Sequence, residues 1–407
     1  MVPDIRTITA AELHPWSVAV RRGFLNPAET DDSDLRRPFV PLERTWAAFA
    51  GPKIVATLRS FPVEMTLPGA NSIPVAAVTQ VTTTATHRRQ GLANRLVMAD
   101  MEACRERGEA VSILIAAEWP IYGRWGYGPA TESQSFSVDT RRAGVTESSG
   151  ATVELVDRTE FRDAAAALYE KTRLRQAGEI SRPDWFWDVD LGILELPTRP
   201  EVPPAFHLLA RDGNHVVTGA LRYRVDSTWE GMLPAFTVHV DSLISGDVDA
   251  AVAIWGYLLG LDLVTEVRIA DRSVDDLLPW LLDDPRRARA EKRHDFLWCR
   301  VLDVPGALSA RRYRVEASVV FAVTDAQGLV GGTYELSGGP HGAQCTVSTG
   351  SPGVTMPVGT LGAILLGGYS LRQLARAGWA QEDRAGALDT ADAMFSTSAA
   401  PWCSTWF

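Results

Sequence analysis

The order of elements readable between residues 45 and 116 recurs between 206 and 270, and this recurrence limits the possible folds more than composition does. In the first copy, Thr45–Ala50 runs through Gly51-Pro52-Lys53 into a second β-rich run, Ile54–Phe61. Two such runs about a turn read as a hairpin. A strand over Ala76–Thr82 follows, then a turn at 87–91, a helix over 92–107 and a short strand, Val111–Ala116. Leu92, Leu96, Ala99 and Ala103 share one helix face, and Gly108 suits the position just past the last turn. In the second copy, Phe206–Ala210 and Val216–Val225 flank Arg211-Asp212-Gly213-Asn214, a turn sequence suited to positive φ. A strand over Ala235–Leu243, a helix over Asp247–Leu261 and a strand over Thr265–Ala270 complete the match. The repeat reads as two copies of one α/β domain built on a mixed sheet.

At 407 residues the chain exceeds one ordinary core. From Pro305 onward its texture changes: a β-rich run over Tyr313–Thr324, the turn Ala326-Gln327-Gly328 and a partner run, Gly331–Leu336. Helices are expected over Leu361–Ala377 and Thr390–Phe395, giving a third, smaller α+β domain. The expected divisions are 1–148, 149–300 and 301–407.

Acidic residues outnumber basic ones by 50 to 40, for a net charge of -10. That balance argues against nucleic acid or an anionic membrane as partner and favours cationic small molecules. Cys104, Cys299, Cys345 and Cys403 are scattered without a C-x-x-C pair or a nearby histidine. They read as reduced thiols of a cytoplasmic protein, with no metal site. No secretory signal is visible, and no apolar run approaches the roughly 20 residues that span a bilayer. G-x-x-x-x-G-K, G-x-S-x-G and H-E-x-x-H are missing, which removes common NTPase, serine hydrolase and zincin readings.

Two blocks carry candidate chemistry. Arg88-Arg89-Gln90-Gly91-Leu92-Ala93 lies between a strand and a helix. There, unpaired N–H groups and the positive end of the helix dipole can meet a pyrophosphate. Gly91 lets the main chain approach an anion closely, and Ala93 keeps the first turn slim. The plain alternative is an ordinary helix start that happens to carry Arg and Gly. Val81-Thr82-Thr83 would lie alongside a pantetheine arm, with main-chain N–H groups placed to hold an oxyanion. The second block, Ile121-Tyr122-Gly123-Arg124-Trp125-Gly126-Tyr127, offers a phenol after Trp119-Pro120. Tyr122 can protonate a departing thiolate, against the alternative of a packed tyrosine; Tyr127 reads as packing. A phosphate cradle with a nearby proton donor is what acyl transfer from coenzyme A requires. In the second copy, Asp247 stands where phosphate would approach, so that copy is expected to be catalytically silent. His87 reads as a solvated loop residue, and Asp31-Asp32-Ser33-Asp34 as a solvated acidic loop that could attract a polycation.

Val81–Asn94, Glu118–Ala130 and Leu297–Leu308 resemble the Eis (enhanced intracellular survival) family of GNAT-superfamily N-acetyltransferases, a similarity that spans the chain. The resemblance implies tandem GNAT folds, the second degenerate, followed by a domain like sterol carrier protein. It implies a homohexamer and regiopromiscuous acetylation of amines of cationic small molecules, including aminoglycosides. Carried over by position, acetyl-CoA would meet Val81, Thr82, Thr83, Arg89, Gln90, Gly91, Leu92, Ala93, Asn94, Ala117 and Glu118. Tyr122 would be the proton donor, and the C-terminal carboxylate of Phe407 the proton acceptor. Read from its residues alone, the tail Trp402–Phe407 simply docks aromatics into a groove, and Glu118 is a rival base. Gln80 stands where the family can carry a bulky aromatic, and Trp406 where it can carry an acid. Both departures touch the acceptor side. Polyamine or protein-lysine acetylation, and a non-catalytic lipid-binding carrier or scaffold, are the competing functions.

Overall fold

Side-chain alternation along Thr45–Ala50 sets the first layer: Ala47 and Phe49 face one helix, Ala48 another. The computed structural model describes residues 3–141 and 143–407. The first region runs through β1 (Asp4–Thr7), α1 (Leu13–Gly23), α2 (Ser33–Arg36), β2 (Thr45–Ala50), β3 (Lys53–Thr66) and β4 (Ser72–Thr83). It continues with α3 (Leu92–Glu106), β5 (Val111–Ile115), the one-turn α4 (Trp119–Tyr122) and β6 (Gly128–Pro129). The second region holds β7 (Glu132–Asp139), β8 (Thr152–Leu155), α5 (Arg158–Arg173), α6 (Asp184–Asp190), β9 (Phe206–Arg211) and β10 (Val217–Asp226). A small hairpin of β11 (Trp229–Glu230) and β12 (Leu233–Pro234) precedes β13 (Phe236–Ser245), α7 (Val248–Leu259) and β14 (Val264–Arg272). After α8 (Leu278–Leu281) come β15 (Ala288–Asp295) and β16 (Leu297–Val301). The last region contains α9 (Val304–Ala310), β17 (Ala317–Thr324), β18 (Gly332–Gly339), β19 (Gly342–Val347) and β20 (Val354–Pro357). It ends with α10 (Val358–Ile364), α11 (Leu371–Arg376), β21 (Gln381–Glu382) and α12 (Ala387–Phe395).

The first sheet has the order β1-β2-β3-β4-β5-β16-β6 and the second β15-β7-β14-β13-β10-β9-β8. Helix α1 lays Leu13, Trp16 and Val20 on one face of the first sheet. Helix α3 lays Leu92, Leu96 and Met101 on the other, against Ala48, Leu58 and Val78. The second sheet carries α5 and α7 in the same way.

Two strands cross the expected divisions. β7 belongs to the second sheet although it falls within 1–148, and β16 belongs to the first although all of it but Val301 falls within 149–300. Residues 128–139 and 288–301 form one antiparallel ribbon that leaves the first sheet and enters the second. Thr131 marks the crossing, where its carbonyl accepts from Phe296 N at 2.9 Å and its hydroxyl accepts from Leu297 N at 3.0 Å.

The last region forms a five-stranded sheet, β19-β18-β17-β20-β21. The single helix expected over Leu361–Ala377 is two, α10 and α11. Gly367, at φ 86°, ends the first in a left-handed conformation that glycine adopts without a Cβ penalty. Leu361 and Ile364 of α10 are buried with Phe321 and Leu336 of the sheet. An enclosed ion pair, Arg300 with Asp325 at 2.8 and 3.0 Å, ties this region to the first sheet. In the second-copy hairpin the left-handed residue is His215 rather than a turn glycine. Asp212 organises that turn by accepting from the N–H groups of Asn214 and Val216.

Candidate active site

β4 and β5 run parallel but pair only at Ala76–Ser112 and Ala77–Ile113. Beyond that point the strands part, leaving the β5-facing edge of residues 79–83 free. A bulge drives the parting: against β3 the register slips between Thr79 and Thr82, and Gln80 sits at φ 56°. Thr57 fixes the bulge by donating to Gln80 O at 2.9 Å while its oxygen lies 2.8 Å from the Thr82 hydroxyl.

Helix α3 opens into this wedge. Its cap, Gly91 (φ 75°), supplies no side-chain bond, and the first intrahelical donor is Arg95 N, bonded to Gly91 O. The N–H groups of Leu92, Ala93 and Asn94 therefore have no intrahelical acceptor. A Cβ placed on Gly91 would meet nothing within 4 Å, so the helix mouth faces open space. Arg88, Arg89 and Gln90 are exposed beside it. Free donors, a positive dipole end and two guanidinium groups fit a diphosphate, and the free strand edge fits an arm of amides.

The wedge is a cavity of about 930 Å³. Val81, Thr82, Thr83, Arg89, Gly91, Leu92, Ala93, Asn94, Ala117, Glu118, Tyr122 and Phe407 all line it, as do Gln80 and Trp406. Gln90, on the rim turn, does not. Asn94 spends its side-chain oxygen on Trp125 Nε1 at 2.9 Å, which moors the Tyr122 turn to the start of α3. Tyr122 is buried edge-on to Trp125 and Tyr127, and its hydroxyl has no hydrogen-bond partner among the described residues. Burial first, then the Glu118 charge, raises its pKa, so the phenol keeps its proton at neutral pH. Tyr127 by contrast is spent on Ser112, 2.7 Å away.

Phe407 reaches the cavity on a tail held by the second region. Trp402 N donates to Ala177 O at 2.8 Å and its indole to Asp271 O at 2.7 Å. Arg182 grips Thr405 Oγ1 at 2.8 Å and Ser404 Oγ at 2.7 Å, and Ser404 N donates to Glu179. The Phe407 ring then lies edge-on to Phe61, 5.8 Å between centroids. The aromatic tail is docked, as its residues alone suggest, and the docking delivers Phe407 to the same cavity as Tyr122.

Sequence reasoning missed two contributors. Arg124 lines the cavity, and Gln327, from the last region, lines it too while donating to Arg124 O at 2.9 Å. Arg124 stands inside the tyrosine block with no local mark of a role, and nothing local marks Gln327 as a neighbour of that turn. The acidic loop is not simply solvated: Asp32 is buried, accepting from Arg36 Nε at 2.7 Å and from Thr198 Oγ1. All four cysteines are free and buried.

The profile described as Acetyltransferase (GNAT) domain matches residues 4–130, a second GNAT-domain profile matches 178–305, and a Sterol carrier protein domain matches 304–404. N-acetyltransferase Eis of Mycobacterium tuberculosis is 33% identical over 361 residues, covering 85% of this chain and 84% of that protein. This chain belongs to the Eis family of GNAT N-acetyltransferases. An uncharacterized N-acetyltransferase of Streptomyces avermitilis is 40% identical over 412 residues, 99% of this chain and 98% of that one. The crystal structure of Eis1 from Mycobacterium abscessus superposes with a TM-score of 0.87 at 30% identity, covering 99% of this chain and all of that one. Membership in the Eis family makes the chain an acetyltransferase with two GNAT domains and a sterol-carrier-like domain. Among the described residues, no helix is long and apolar enough to cross a membrane.

Proposed function

We propose that the chain transfers the acetyl group of acetyl-CoA to the primary amine of a small acceptor, by direct attack of the amine on the thioester. The observation that carries this reading is the convergence of the uncapped α3 mouth, the unpartnered Tyr122 hydroxyl and Phe407 on one cavity. The first-turn N–H groups of α3, with Arg88 and Arg89, hold the diphosphate. The free edge of Val81–Thr83 binds the pantetheine amides and polarises the thioester carbonyl. The Phe407 carboxylate binds the acceptor ammonium and takes its proton, directly or through water. Nitrogen then forms its bond to the acetyl carbon as the carbon–sulfur bond breaks, Tyr122 delivers its proton to sulfur, and the second proton shed by the nitrogen restores the phenol. The products are the amide, free thiol and one proton returned to solvent.

Aminoglycosides and polyamines, the acceptors implied by the resemblance, form the first panel. Incubation with acetyl-CoA and that panel, following free thiol, is expected to show release. Protein that binds acetyl-CoA but releases no thiol with any primary amine would refute the reading. A homohexamer acting in the cytoplasm completes the proposal, and sedimentation velocity checks the assembly.

A further inference from the structure

The cavity does not stop at Phe407. Past the tail, a second hollow of about 510 Å³ continues between α6 and strands β13 and β14 of the second sheet, sharing Thr79 of the first sheet, Trp406 and Phe407 with the first cavity. Its walls are aromatic: Trp185 stacks on Phe39 at 4.9 Å and stands edge-on to Phe61, and Phe186 lies beside it. Its charges are unusual. The carboxylates on its wall are largely spent on arginines: Asp190 on Arg222 at 2.9 Å, and Asp241 on Arg224 at 2.7 Å. Asp271 faces His294 at 3.4 Å. Of the cations, Arg272 is paired with Asp276 at 2.7 Å and donates to Leu243 O. Arg182 is occupied with the tail, but Arg199 makes no side-chain hydrogen bond or ion pair among the described residues and lines the hollow.

Behind Thr79, directly across β3–β4, sits Arg59. It is 8% exposed, its Nε has no partner, and no carboxylate among the described residues pairs with it. Its recorded neighbour is the Phe61 ring, 5.6 Å from the guanidinium. Burial, then repulsion from Arg36 and Arg199, lowers its pKa to about 9, which leaves it charged at neutral pH. Arg36 is committed to Asp32 and Thr198. Three guanidinium groups thus share two nearby carboxylates, Asp190, which also pairs with Arg222, and Asp32, whose Oδ1 is itself unpartnered. A buried charge without a counter-charge is among the costliest things a fold can hold, and cores that serve only packing avoid it. Placed beside a substrate cleft, such a charge fits an anion that arrives with the ligand.

We propose that Arg59 and Arg199 form a subsite for an acid group, a carboxylate, carried by the same acceptor whose amine meets Phe407. The inference rests on the transfer reading above and narrows its acceptor class. The terminal carboxylate takes the ammonium at one end, the arginines take the acid at the other, and the aromatic walls pack the spacer between them. An amino carboxylate fits that pattern; a polycation would bring a second positive charge against Arg59.

Matched acceptors test this. Thiol release is measured for δ-aminovalerate against cadaverine, and for p-aminomethylbenzoate against p-xylylenediamine, with the intact chain and with Arg59→Met and Arg199→Ala. The amino carboxylates are expected to show kcat/KM about tenfold or more above the diamines, the scale of a charge-assisted bidentate contact. Either variant should raise the amino carboxylate KM about tenfold more than the diamine KM, with little change in kcat ratio. Should Arg59→Met not fold, Arg199→Ala, at an exposed position, carries the test. Diamines preferred by the intact chain, or a KM rise common to both series, overturns the subsite while leaving acetyl transfer standing. If no amine releases thiol, calorimetric titration of p-aminomethylbenzoate in the presence of coenzyme A still decides. Binding that weakens in the variants upholds the subsite, and no binding, or equal binding, overturns it.

Discussion

The two GNAT units have the same strand–helix–strand layout, and they differ where it matters for an anion. In the first, Gly91 leaves the mouth of α3 uncapped; in the second, the Asp247 carboxylate accepts from Ala250 N at 2.8 Å and caps α7 with the chain's own negative charge. The wedges diverge too. β13 and β14 pair from Phe236 to Val240 before parting, and the gap beyond is bridged by Arg272, whose Nη1 donates to Leu243 O at 3.0 Å while its guanidinium lies over the Trp402 ring. In the first unit, among the described residues, no hydrogen bond crosses between residues 79–83 and 115–118. One fold therefore offers two helix starts: an open one with free donors that suits an anion, and a capped one whose donors are already spent.

Breaking the first unit should cost most at the phenol. Tyr122→Phe is expected to lower kcat by about a hundredfold or more while leaving acetyl-CoA affinity unchanged, checked by steady-state kinetics beside calorimetry. Because burial and Glu118 raise the Tyr122 pKa, turnover should not fall through pH 10 in the intact chain. An alkaline limb set at an ordinary phenol pKa would show that the hydroxyl is solvated. Next comes the tail: a few residues added after Phe407 should reduce kcat by about a hundredfold. Full turnover in the extended protein would move the proton acceptor to Glu118.

Converting the open mouth into a capped one is a smaller step. Gly91→Asp should weaken acetyl-CoA binding about tenfold or more by placing a carboxylate where phosphate lies. Gly91→Ala separates that charge effect from the strain of a Cβ at φ 75°, about 1 kcal/mol. The reverse change is the smallest: Asp247→Ala removes a cap worth about 1 kcal/mol, read as a modest loss of thermal stability with kcat/KM intact.

What could be read from the sequence was whatever is local. The α3 mouth is written in consecutive residues, strand then Arg-Arg-Gln-Gly then an amphipathic helix, and Asp247 announces its cap in the same way. The break between α10 and α11 also had a local signal in Gly367-Gly368. The flanking leucines are buried all round and show no period, so no change of face marks the break. Non-local facts were invisible. Nothing in Leu297–Val301 says that it completes the first sheet rather than the second, because either sheet would accept so apolar a strand. Arg59, between Leu58 and Ser60, looks like any strand residue until residues 36, 185 and 199 fold over it. Asp32 reads as solvated until Thr198, far along the chain, covers it.

The ribbon crossing at Thr131 has a consequence for how the molecule could have been assembled. Thr131 and Phe296 are bonded across 2.9 Å, so the whole segment between them is topologically an insertion into a hairpin, removable in principle by a tight turn that leaves the first sheet whole. Such an excision would carry off Glu179, Arg182 and Asp271, the anchors that aim the last aromatic residue. On the proposed mechanism the capped copy is a jig: it fixes a dimension on which the site of the first copy depends.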